Sequence, residues 1–243
     1  AHRANSLVLH SPSAAPRIER ETRCSVRVLP FVNYRAPSSD FDIENRRQQA
    51  RTALGLDRYP EGTIHLGSFG YVDTRTKLAD IVLEAAAWLS QWGHSVALHF
   101  VGSASLGQAE EFKMRAKTGD LAGFQVTGYV SEEEFRQWLL AVELGVQLRI
   151  SPLLGVSGPL SDLAAYGTPA VASRGLCADV DPPAFIKPLP DAVSPVMVAE
   201  AIEEALSKPM PLEDRERLRL EYLDRKSPDR YARALLDLLK VQL

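Results

Sequence analysis

Cysteine and excess positive charge are both scarce in this sequence, and each shortage removes a class of protein. Only Cys24 and Cys177 occur in 243 residues, with no C-x-x-C pair. A disulfide framework is therefore not expected, and a reducing, cytoplasmic setting fits best. Lys and Arg number 28 against 31 Asp and Glu, a net charge of −3. No dominant basic face for nucleic acid is expected, although a local anion site remains compatible. Long apolar runs are also lacking. The widest uncharged window near the middle, 150–161, contains Ser, Pro and Gly and falls short of the ~18 apolar residues of a membrane span. The opening AHRANSLVLHS has neither Met nor a signal-peptide pattern. Because SLVLH already reads as a buried strand, a chain cut from something longer is expected.

The familiar catalytic signatures are missing too. G-x-G-x-x-G and G-x-x-x-x-G-K-[ST] do not occur, so dinucleotide and P-loop readings lose their main support. G-x-S-x-G is absent, which removes the serine-hydrolase signal. The five histidines show no H-x-x-x-H spacing, and no bound metal is expected. His65 and His99 fall within apolar runs and read as buried, satisfied residues. Trp88, Trp92 and Trp138 read as core or edge packing.

What is present is regular alternation. At 45% hydrophobic and 24% charged the chain is globular, and its length suits one large domain or two small ones. Residues 6–32 form a small β-α-β pattern, followed by the connector FVNYRAPSSDFD and a helix, IENRRQQARTALGLD, with Gly55 near its end. From residue 63 strands alternate with helices. Helices are expected over 74–92, 108–118, 131–142, 157–166, 193–207, 212–225 and 227–239. Runs such as VALHFV and PAVA are continuously apolar, as strands buried on both faces are. The reading is an α/β, doubly wound, Rossmann-like parallel sheet. Ligands in such sheets sit beyond the carboxyl ends of the strands. The search narrows to 67–77, 102–107, 128–131, 149–162 and 173–179.

In the first stretch, HLGSFGYVDTRTK, Gly67 and Gly70 allow a sharp turn and Lys77 sits near the first turn of the next helix. A lysine or Arg75 there can neutralise a phosphate that faces backbone N–H groups. The plain alternative is a tight turn with a solvated lysine. In LRISPLLGVSGPLSDLAAYGTPAVAS a strand ends at Arg149, and Ser157–Gly158 opens a helix with Asp162 one turn further in. Small residues there admit a phosphate, the Ser157 hydroxyl adds a donor, and Asp162 can accept from a ribose diol. The plain alternative is an N-cap and a favourable first-turn charge. At 128–131, GYVS, backbone groups could pair with a base edge, or Ser131 could simply cap a helix.

Taken in order and spacing over about residues 25–240, these stretches resemble the C-terminal, donor-binding lobe of a GT-B glycosyltransferase, nearest the retaining family-4 enzymes. HLGSFGYVDTRTK resembles the first donor-lobe strand and turn, with Lys77 at the phosphate-binding lysine. VALHFVGS and FQVTGYVSEEEF resemble the next two strand exits, including the turn that holds the base. The stretch around Ser157 resembles the diphosphate-binding helix with its two acidic residues, eight positions apart. The second acid matches Asp162. The first falls at Leu154 or Gly155, and the S-G register favours Gly155, so that carboxylate is missing. Ser68 stands where an arginine usually does, and Arg75 is the candidate substitute.

The resemblance implies a nucleoside-diphosphate-sugar site made by Lys77 and Asp162 with Gly67, Ser68, Phe69, Gly70, Arg75, Gly102, Tyr129, Val130, Arg149, Gly155, Val156, Ser157 and Gly158. It implies transfer of a hexose-type sugar to a glycan or other acceptor, retaining, with no metal and no cofactor beyond the sugar nucleotide. Residues 1–35 would be a remnant of the N-terminal lobe and connector. Residues 36–243 would be the donor lobe, with the helix at about 227–239 turned toward the other lobe. The acceptor would be met through that N-terminal lobe, so this chain by itself would bind nucleotide without transferring sugar. No nucleic acid or transmembrane segment is implied; the setting is cytoplasmic, with the inner membrane face reachable through the other lobe. The alternative is a degenerate GT-B lobe acting as a binding or scaffold module.

Overall fold

The computed structural model describes residues 6–33, 42–150 and 155–240. The first five residues, most of the connector after Asn33 and Leu154 lie outside the described residues. Two parallel strands come first, β1 (Ser6–Leu9) and β2 (Ser25–Val28), joined by α1 (Ala15–Thr22). The β-α-β expectation holds, but β1 is half-buried rather than buried. After α2 (Ile43–Ala53) and a short 3-10 turn at Leu56–Arg58, a six-stranded sheet is built from β3 (Ile64–Phe69), β4 (Val96–Val101), β5 (Gly123–Val126), β6 (Leu144–Gln147), β7 (Ala170–Ser173) and β8 (Ile186–Leu189). The helices between and after them are α3 (Ala79–Gln91), α4 (Leu106–Thr118), α5 (Glu132–Ala141), α6 (Gly158–Tyr166), α7 (Arg174–Val180), α8 (Pro195–Ser207), α9 (Leu212–Arg225) and α10 (Pro228–Lys240).

All pairings are parallel and the order is β5-β4-β3-β6-β7-β8. A parallel pair needs a helical crossover, and right-handed crossovers lay helices on both faces. Each face accordingly has its own core. Leu66, Leu98 and Val146 pack with Val82 of α3 and Val198 of α8. Phe69, Trp138, Leu160, Leu163 and Tyr222 fill the other side. The strand order reverses between β3 and β6, so a crevice opens beyond their carboxyl ends.

Two element boundaries differ from expectation. The helix expected from 74 begins at Ala79, because the Asp73 carboxylate accepts the N–H of Arg75 at 3.1 Å and of Thr76 at 2.7 Å and makes a turn instead. The segment 173–179, read as strand exit alone, contains α7, seven residues and too short for periodicity to reveal. Trp88 and Trp92 remain partly exposed, whereas Trp138 is buried.

His65 and His99 are buried as expected, on neighbouring strands, with His65 Nδ1 3.0 Å from His99 Nε2 and the rings stacked at 5.3 Å. They are not fully satisfied: His99 Nδ1 has no partner among the described residues. Burial, then the neighbouring His65 and Arg58, pushes the His99 pKa down to about 3. An unfolded histidine takes up its proton near pH 6.5, so folding stability is complete above that pH and falls below it. The loss is about 1.4 kcal/mol per pH unit until the folded group itself titrates. His99→Phe should therefore flatten the pH dependence of urea unfolding between pH 6.5 and 4 relative to the parent. Parallel curves would contradict this assignment.

Candidate functional site

The crevice is assembled from strand exits. After β3 the backbone passes Gly70, whose N–H donates to the Val101 carbonyl at 2.9 Å, and Val72 N–H donates to Ser103 O at 2.9 Å. Gly102 N–H donates to Thr127 Oγ1 at 3.1 Å. The exits of β3, β4 and β5 are thus laced side by side. A Cβ on Gly102 would fall closer than 3.0 Å to the Gly70 carbonyl oxygen, a separation that real side chains do not show. Glycine here is a requirement of close approach. Between these exits lies a cleft of about 410 Å³, lined by Gly70, Gly102, Gly128, Val130 and two tyrosines, Tyr71 and Tyr129. Tyr129 is 94% exposed and Tyr71 59%. Two flat, solvated rings beside three glycines make a slot suited to a planar group. Tyr71 lies within the quoted HLGSFGYVDTRTK but carries no motif of its own, so sequence reading passed it over.

Beside the cleft stand two cations. Lys77 Nζ donates to the Phe69 carbonyl at 3.2 Å. Arg149 Nη1 donates to the Gly155 carbonyl at 3.2 Å, and its backbone N–H to Ser173 Oγ at 2.9 Å. Neither makes an ion pair among the described residues. Burial, and then the charge of Arg149, lowers the Lys77 pKa, with Asp73 acting weakly the other way. Burial likewise lowers that of Arg149 against the pull of Asp179. Two partly desolvated like charges held on carbonyls favour an incoming anion. The Lys77 turn is tied to the β6 exit by Ile150 N–H on Thr76 O at 3.0 Å. Lys77 does not enter the helix: Leu78 follows at φ +53 and α3 starts after it. That left-handed residue turns the chain so that the ammonium folds back onto β3.

The amino terminus of α6 closes the site. A Cβ on Gly70 would meet both Lys77 Nζ and, at 4.0 Å, Pro159 Cγ. Ser157 is 3% exposed and its Oγ accepts from Leu160 N–H at 3.3 Å, so it is a cap first. Pro159 carries no N–H. Of the first three helical residues only Gly158 keeps an uncommitted donor, and open space surrounds it. The helix dipole is present, but most of the anion contact is left to the two cations.

Several expected residues stand elsewhere. Gly67 and Ser68 lie inside β3, and Phe69 buries its ring against Phe135 and offers only its carbonyl. Arg75 is exposed beside Asp73 and is not drawn into the cleft. Val156 packs against the α6-side core. Gly155 has φ +136, a conformation that disfavours any side chain, and its carbonyl holds Arg149. Asp162 is only 4% exposed and accepts from Asn33 Nδ2 at 3.1 Å, next to the Ser161–Tyr222 hydrogen bond at 2.9 Å. The structure thus joins Asp162 to Asn33 and not to the cleft lining.

In fold the chain is similar to one lobe of solved GT-B structures. WaaG, a glycosyltransferase involved in lipopolysaccharide biosynthesis, is similar with a TM-score of 0.70 at 16% identity, over 90% of this chain and 58% of WaaG. HepE from Anabaena, solved with UDP and glucose, gives 0.70 at 15% identity, over 98% of this chain and 64% of HepE. The N-terminal domain of trehalose-6-phosphate phosphatase from Candida albicans gives 0.63 at 15% identity, over 99% of this chain and 59% of that one. The chain therefore spans about three fifths of the length of these structures. No protein-family profile matches it, and no curated protein matches it by sequence.

The glycine contact at the strand exits predicts that Gly102→Ala loses about 3 kcal/mol of stability through overpacking. Gly107→Ala in α4, with nothing within 4 Å of the added methyl, should be neutral or slightly stabilising. Thermal unfolding of both variants checks this; equal melting temperatures would contradict it.

Proposed function

We propose that this chain is the donor-binding lobe of a nucleotide-sugar-dependent glycosyltransferase. The observation that carries the reading is the pair Lys77 and Arg149, partly buried and with no carboxylate partner among the described residues, at the strand-order reversal beside a slot for a planar group. The base would occupy the slot against the backbone at 128–131. The diphosphate would lie between the two cations and the Gly158 N–H at the start of α6. As the glycosidic bond to the sugar breaks, negative charge grows on the departing diphosphate, and fixed cations and a helix terminus stabilise that charge most. No metal is required by this scheme. A hexose-type sugar would extend toward Gly155, and a glycan or similar acceptor would be presented by a facing lobe of which 1–35 are a remnant and toward which α10 turns. Retention of configuration and a cytoplasmic, membrane-adjacent setting are part of the same proposal. Among the described residues no helix is long and apolar enough to cross a membrane.

A second reading has its own support. Gly155 supplies no carboxylate to a donor sugar, and Asp162 is committed to Asn33. Both facts favour a lobe that binds a nucleotide without transfer. Turnover of a nucleotide-sugar panel by the full-length protein separates the two readings, because transfer to any acceptor rejects the second.

Calorimetric titration with UDP and GDP tests the shared site. At least one should bind at millimolar concentration or tighter, and Lys77→Ala or Arg149→Met should each weaken binding by tenfold or more, with the fold unchanged by circular dichroism. Absence of binding, or unchanged affinity in both variants, would refute the assignment.

A further inference from the structure

A second basic cavity lies at the opposite, amino-terminal end of the strands. It has a volume of about 850 Å³ and opens between α2, the entries of β6 to β8 and the α8–α9 corner. Most charges around it are matched. Lys187 pairs with Glu204, Arg217 with Asp214 and Glu221, and Arg51 with Glu143. Arg47 and Arg215 share a single acid, Glu44, and Lys208 makes no ion pair among the described residues. Arg215 is 8% exposed, donates one Nη to Glu44 at 3.0 Å, and its buried Nε has no partner among the described residues. Arg47 uses its Nε on the Leu140 carbonyl at 3.2 Å and reaches the same Glu44 only at 4.0 Å. One half-exposed carboxylate thus serves two guanidinium groups. Burial is the chief reason the Arg47 pKa is lowered, with Glu44 opposing and the charges of Arg215 and Arg51 adding to the lowering. Lys208 stands on the rim, and Glu204, on which its charge acts, is already paired with Lys187.

Two fork-shaped guanidinium groups with spare donors, facing a cavity, match the tetrahedral oxygens of a phosphoryl group. The Arg215 Nε is itself out of solvent contact, so the phosphoryl oxygens would be met by the remaining Nη donors of the two arginines. Met210, Leu218 and Phe185 supply an apolar wall beside the cations. We propose that this cavity is a binding site for a small phosphate monoester, its phosphoryl group on Arg47, Arg215 and Lys208 and its carbon body against that wall. This site is separate from the nucleotide cleft and does not depend on the glycosyltransferase reading.

The test uses phenyl phosphate as probe, titrated by calorimetry against the parent chain, Lys77→Ala, Arg47→Gln, Arg215→Met and Lys208→Ala. Phenyl phosphate should bind more tightly than inorganic phosphate and bind Lys77→Ala unchanged. Arg47→Gln and Arg215→Met should weaken it tenfold or more. Lys208 is exposed, so its removal leaves the fold intact and should weaken binding about threefold even if a buried arginine variant fails to fold. Absence of binding at 10 mM, unchanged affinity in Lys208→Ala together with a folded Arg47→Gln, or loss confined to Lys77→Ala would overturn the proposal.

Discussion

At the carboxyl end of the sheet the backbone of Gly102 lies against the Gly70 carbonyl with no room for a side chain between them. The shape of the crevice follows from that contact. It brings the exits of β3 and β4 together, and Thr127 on the exit of β5 locks the third strand to them. The cleft exists because three adjacent strand exits end in glycine rather than in side chains that would fill it. The same contact fixes where Gly70 stands, and Gly70 is the shared wall between the cleft and the Lys77 ammonium. A parallel sheet whose order reverses between β3 and β6 leaves such a crevice open in any case. The glycines determine what fits into it.

Charge gives the crevice its preference. Lys77 and Arg149 are each anchored by a backbone carbonyl, which fixes position without neutralising charge. Asp73 could have quenched Lys77, but its oxygens are spent on the N–H groups of Arg75 and Thr76 and on the Thr76 hydroxyl. Those hydrogen bonds, the Thr76 hydroxyl first, hold the Asp73 carboxyl below its usual pKa. The turn they build delivers Lys77 to β3. The left-handed Leu78 that completes it is the one positive-φ, non-glycine residue among the described residues that starts a helix. Strain of that kind persists where surrounding structure enforces it, and here it separates the lysine from the helix that sequence periodicity would have extended over it.

The sheet was legible because continuous apolar strands and amphipathic helices have distinct periods, and the strand exits were legible as Gly-containing turns. The site was legible in part. Of the residues the motifs singled out, Gly70, Gly102 and Tyr129 line one cleft, and Lys77 stands against Gly70 with Arg149 as its nearby charge. Tyr71 was missed, because a lone tyrosine after a glycine has no pattern and only its place in the same cleft lining as Tyr129 gives it meaning. Asp162 was placed at the ligand by its helix position; in the structure it is buried and accepts from Asn33, 129 residues away in sequence. Arg215 gave no signal either, since its unpartnered Nε depends on how α9 packs on α2. Local rules foretold backbone direction, and long-range partners settled which side chains remain free.

The central claim is that Lys77 and Arg149 form the diphosphate subsite of a nucleotide cleft. A crystal structure of the chain soaked with UDP tests it most directly. The account predicts the diphosphate within hydrogen-bond distance of Lys77 Nζ and the Arg149 guanidinium, with uracil in the slot between Tyr71 and Tyr129. A diphosphate bound elsewhere on the lobe, or a cleft that stays empty at saturating UDP, would contradict it.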